Sequence, residues 1–124
     1  MELSKEWYTL LRFKKHKKAR RRYSNMNNID KILNDFEEYC TNEIVSGKAR
    51  SYKLAIRYLC DYLKISQFDK ESIAKIENTA NVLKDYNSST YEEVLAFLTK
   101  RRQSSYLLKG WINAGVNQFL RFMN

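Results

Sequence analysis

Apolar residues recur along this chain at three- and four-residue intervals, the period of one face of an α-helix, and polar clusters divide the pattern into segments. Leu3, Trp7, Leu10 and Leu11 form a first short stripe in a segment running from residue 3 to about residue 22. After Asn28, which can cap a helix, Ile29, Ile32, Leu33, Phe36 and Cys40 share one face. Gly47 is placed to stop that helix in a left-handed turn. Asp30, Asp35, Glu37, Glu38 and Glu43 give it an acidic outer face.

A further helix is predicted from about Ser51 to Lys64, with Tyr52, Ala55, Ile56, Leu59 and Leu63 inside and Arg50, Lys53 and Arg57 on a neighbouring polar strip. Asp69 can cap the next one, which carries Ile73, Ile76, Ala80 and Leu83 and ends in the polar loop Asn87, Ser88 and Ser89. Ser89 with Glu92, or Thr90 with Glu93, has capping-box spacing and starts a helix with Tyr91, Val94, Leu95 and Leu98 inside. That helix runs out at Lys100, Arg101 and Arg102. Ser104 or Ser105 then caps a last helix with the longest apolar stripe: Leu108, Trp111, Ile112, Gly115, Phe119 and Phe122. A glycine inside a helix costs about 1 kcal/mol relative to alanine, so Gly110 and Gly115 are expected to mark close helix contacts.

Composition fits this pattern. With no proline and three glycines among 124 residues, a β-rich fold would have little to turn with. The fold class expected is all-α, one small bundle of five or six short helices with a basic amino-terminal arm. Residues 1–25 would form the arm and 26–124 the bundle. Met26, followed by Asn27, Asn28 and Ile29, is itself a natural start for that bundle. The share of apolar residues, 44%, including two Trp, nine Tyr and six Phe, is too rich for disorder. No apolar run approaches the roughly 18 residues that would span a bilayer, and the first ten residues lack a signal-peptide core, so a soluble cytoplasmic protein without a membrane partner is expected.

Charge changes the picture most. Of the nine residues from Lys14 to Arg22, seven are cationic: Lys14, Lys15, Lys17, Lys18, Arg20, Arg21 and Arg22. With Arg12 they supply eight units of charge, against a net +9 for the whole chain. Blocks this dense repel themselves unless a polyanion or solvent screens them, and they commonly hold nucleic acid or acidic membrane. A second cluster comprises Lys100, Arg101, Arg102 and Lys109, where helix C-terminal charges that complement the macrodipole are the plain alternative. Tyr23, beside the arm, is a candidate to stack on bases. Tyr52, Tyr58, Tyr62 and Tyr106 could do the same, or pack half-buried.

Catalytic and metal chemistry is not visible. His16 is the single histidine and lies within the cationic run, where neighbouring charges disfavour its protonation. Cys40 and Cys60 have no CxxC spacing and are expected as reduced core thiols rather than a disulfide or zinc site. The chain has no GxxxxGK[ST], HExxH or GxSxG motif, and no Asp or Glu is followed two positions later by Lys. The acidic cluster Asp35, Glu37 and Glu38 reads as a solvated helix face before it reads as a magnesium site. No catalytic residue, metal or cofactor is expected.

The segment from Gly47 to Leu63, GKARSYKLAIRYLCDYL, and the terminal SSYLLKGWINAGVNQFLRF resemble the small helical, SAM-like core-binding domain of phage integrases and other tyrosine recombinases. They are also similar to the helical amino-terminal modules of HNH-type restriction endonucleases. The resemblance covers roughly residues 29 to 123 and rests on helix-packing positions; neither family's catalytic set is present. It implies a DNA-targeting module without its enzyme.

The expected function is therefore non-catalytic DNA binding. Arg12, Lys14, Lys15, Lys17, Lys18, Arg20, Arg21, Arg22, Tyr23, Lys100, Arg101, Arg102 and Lys109 are the candidate contacts, with phosphate affinity from the arm and any sequence readout from the body. Two alternatives stand beside it. One is RNA or ribosome binding; the other is a protein-interaction or dimerisation domain that docks through the last helix, with a second copy or an enzymatic domain as partner.

Overall fold

A computed structural model describes residues 29–44 and 46–124. Over these residues the protein is an all-α bundle of six helices: α1 (Ile29–Glu43), α2 (Ser46–Leu63), α3 (Lys70–Val82), α4 (Ser89–Lys100), α5 (Ser105–Leu108) and α6 (Trp111–Met123). The predicted first segment, and with it the arm, lies outside the described residues.

The apolar stripe of α1 is buried as its spacing predicts, through Ile32, Leu33, Phe36 and Cys40. Helix α2 packs against it in antiparallel fashion and also lies along α6, so these three long helices form the centre. Phe119 of α6 meets Phe36 edge-on at 5.2 Å and Phe68, from the α2–α3 connection, at 5.0 Å. Phe68 is 2% exposed, although it sits outside every predicted stripe.

The α1–α2 seam is also electrostatic. Lys53 Nζ lies 3.0 Å from Glu37 Oε1, and the Arg57 guanidinium pairs with the Asp30 carboxylate. Part of the expected acidic outer face thus turns toward α2, whose polar strip it neutralises. Such exposed or half-exposed pairs are worth roughly 0–1 kcal/mol each and act mainly on register.

Several local expectations need correction. Gly47 does not end α1; it is the second residue of α2, which begins five residues before the predicted Ser51. Its backbone is helical, so the freedom that suggested a stop is not used. Tyr52 and Leu63 are half-buried rather than core, while Ala49 and Cys60 are fully buried. The cap of α4 is Ser88, whose Oγ accepts from the Tyr91 N–H at 3.1 Å. Ser89 and Thr90 are already helical, which leaves neither capping box formed. Asp69 does cap α3: its Oδ1 accepts from the Ser72 N–H at 2.7 Å. That bond holds the Asp69 carboxyl below its ordinary pKa.

The predicted single last helix is two. Gly110 takes φ +75°, the left-handed conformation that glycine adopts without steric penalty, and the chain breaks there between α5 and α6. The break rotates Leu108 off the apolar stripe, leaving it 63% exposed. Gly110 is therefore a turn rather than a close contact. Gly115 is the close contact: a Cβ there would lie 3.3 Å from both the Tyr52 carbonyl oxygen and the Ala55 Cβ.

Helices α2 and α4 end alike. Lys64 and Arg102 both have φ +58°, and the following residues donate back along the helix, Ile65 N–H to Cys60 O at 2.9 Å and Gln103 N–H to Leu98 O at 2.9 Å. Each of these bonds spans five positions, the 6→1 bond of the Schellman arrangement, with a cation where glycine is usual. No described helix is long and apolar enough to cross a membrane.

Candidate nucleic-acid interface

Helix α2 places Tyr58 and Tyr62 one turn apart, and each meets a ring from the second half of the chain. Tyr62 packs edge-on against Phe97 of α4 at 5.5 Å, and its hydroxyl donates to Glu93 Oε1 at 3.0 Å. Burial and that carboxylate push the Tyr62 hydroxyl pKa up. Tyr58 packs edge-on against Tyr106 of α5 at 5.1 Å, and Tyr106 in turn against Trp111 at 5.0 Å. The result is a row of rings along the seam between α2 and the α4–α6 segment.

Cations finish both ends of the row. The Arg101 guanidinium carbon lies 3.6 Å from the Phe97 ring centroid, and its Nη1 donates to the Phe97 carbonyl at 3.1 Å. At the other end Lys48 and Lys109 hold their ammonium groups 5.6 and 5.4 Å from the Trp111 ring. Each is within range of the ring quadrupole, which favours a cation over the face of an indole. Arg50 is close enough to Tyr106 to oppose the rise that burial imposes on its hydroxyl pKa.

Among the four expected cations of the body, Lys100, Arg101, Arg102 and Lys109 are all exposed, and none has an ion-pair partner among the described residues. Lys53 and Arg57 are instead occupied by Glu37 and Asp30. The charge balance is therefore uneven: α1 and α2 neutralise each other along their seam, while the α4–α5 turn and the rim around Trp111 stay positive. Arg12, Lys14, Lys15, Lys17, Lys18, Arg20, Arg21, Arg22 and Tyr23 lie outside the described residues.

Trp111 departs from its expected place. It is half-buried on the rim, not at the centre of the bundle: α6 starts at this residue, and it is the next one, Ile112, that enters the core. Lys48 was not singled out by sequence. Its only signal was a lysine next to the helix start that Gly47 obscured.

Cys40 and Cys60 are buried and unpaired, with thiol pKa values pushed up to about 12, chiefly by burial, so neither supplies a thiolate nucleophile. No group of three His, Cys, Asp or Glu side chains capable of holding a metal exists among the described residues. Compared with family models, curated proteins and solved structures, the chain matches none.

Proposed function

We propose that the protein is a non-catalytic DNA-binding module of the cytoplasm, similar in role to the integrase core-binding domains it resembles. The arm cations, Arg12 to Arg22, would take phosphates without regard to sequence. The row from Arg101 to Trp111 would orient the strand on the body. The observation that carries this reading is the Trp111 ring with the ammonium groups of Lys48 and Lys109 near it, and no acidic partner for either lysine among the described residues. A ring that can stack and two cations that can take phosphates are the elements from which non-specific nucleic-acid surfaces are made. Docking through the last helix is less favoured, since Ile112, Gly115, Val116, Phe119, Phe122 and Met123 are buried within the bundle.

The test is equilibrium binding of a random duplex by the full chain and by a chain lacking residues 1–25, with an RNA duplex as competitor. The reading expects the full chain to bind DNA, the shortened chain to lose most of that affinity, and RNA to compete poorly. Equal affinity of the two chains would remove the arm from the interface, and preferential RNA binding would replace the partner.

A further inference from the structure

A cleft of about 340 Å³ lies between the α3–α4 connection and the α5–α6 turn, lined in part by Lys84, Tyr86, Tyr91, Leu108, Lys109 and Asn113. Three features single it out. Tyr86 and Leu108 are 75% and 63% exposed, two of three exposed large hydrophobic residues among the described ones. The Tyr86 ring stands edge-on to Tyr91 at 5.3 Å, which leaves an aromatic wall open to solvent. Lys84 and Lys109 come from opposite sides, and no acid joins them in the lining.

An exposed tyrosine wall asks for a flat apolar face, and two unopposed ammonium groups ask for anions. A fatty chain would satisfy the wall alone, and an acidic peptide without aromatic side chains the lysines alone. A nucleotide in a single strand satisfies both: its base has a π-face, and phosphates flank it on both sides. Lys109 also touches the Trp111 ring, so the cleft adjoins the seam already described.

We infer that this cleft receives one unpaired nucleobase of the bound nucleic acid, stacked on Tyr86 and flanked by phosphates on Lys84 and Lys109. The inference rests on the reading of the protein as a nucleic-acid binder and adds a preference for unpaired bases.

The experiment measures binding of the full chain to a short oligo(dA), to an abasic sugar–phosphate chain of the same length and to a random duplex. Oligo(dA) is expected to bind about tenfold tighter than the abasic chain, the size of one base–aromatic stack. Tyr86→Ala should remove most of that margin and leave abasic and duplex binding unchanged. Tyr86 is so exposed that its variant keeps the fold. Salt-sensitive binding to all three ligands without a margin for oligo(dA) overturns the cleft assignment and leaves the DNA-binding reading standing. Absence of salt-sensitive binding to any of them overturns both. Self-association that Tyr86→Ala abolishes would make the cleft a protein contact instead.

Discussion

Gly115 of α6 lies directly against Tyr52 of α2: a Cβ at Gly115 would sit 3.3 Å from the Tyr52 carbonyl oxygen and 3.4 Å from its Cα. Those neighbours are backbone, which cannot swing aside as a long side chain can. Gly115→Leu should therefore cost at least about 1–3 kcal/mol through overpacking. In Gly115→Ala the gain in helix propensity, about 1 kcal/mol, should be offset by crowding. Urea denaturation of the two variants checks the order, with the leucine variant clearly the weaker.

Trp111 and Phe119 lie two turns apart on α6 yet should answer truncation differently. Phe119 is 0% exposed and touches Phe36 and Phe68, so Phe119→Ala should cost about 3–5 kcal/mol. Trp111 is half-buried, and Trp111→Ala should cost less than that while weakening nucleic-acid binding. Thermal unfolding and anisotropy on the same two variants separate the roles. A Trp111 variant as unstable as the Phe119 variant would place the indole in the core after all.

Which features could be read from sequence follows from how local their causes are. The stripe Ile32, Leu33, Phe36 and Cys40 needs only helical spacing, and the Asp69 cap only a short-range hydrogen bond; both are found where expected. Glycines are ambiguous in sequence, because the same residue serves as helix interior at Gly47, turn at Gly110 and close contact at Gly115. Only the backbone angle or the neighbour decides among those roles. One unseen turn at Gly110 was enough to misplace Leu108 and Trp111. The exposed body cations were legible as a cluster, but the rings beside them were not: Tyr58–Tyr106 and Tyr62–Phe97 join residues more than thirty positions apart.

Arg102 offers a way to separate binding from folding. A non-glycine residue in left-handed conformation is strained by roughly 1–2 kcal/mol, so Arg102→Gly should hold or raise stability while removing one exposed cation. If Arg102 contacts a phosphate, the variant's log–log salt slope should become shallower by about 0.9. Unchanged affinity and slope would assign Arg102 to the helix end alone.

The thiols give a pH dependence. Burial raises the folded-state pKa of Cys40 and Cys60 from an ordinary value near 9 to about 12. Between those values the unfolded chain has released protons that the folded chain retains, so unfolding is favoured as pH rises. The contribution is complete below about pH 9 and is lost as pH rises through the folded value near 12. Melting in alkaline buffer should show the decline, and Cys40→Ala/Cys60→Ala should reduce its slope. At pH 8 both thiols should resist alkylation until denaturant is added.

The salt dependence of the affinity for a random duplex decides whether the protein holds DNA through phosphate contacts, as proposed. About six or seven arm cations engaged with phosphates release a corresponding number of counterions, so log Kobs against log salt should fall with a slope of about −6. A slope no steeper than about −1 would contradict the account, because the arm could not then be the polyanion contact.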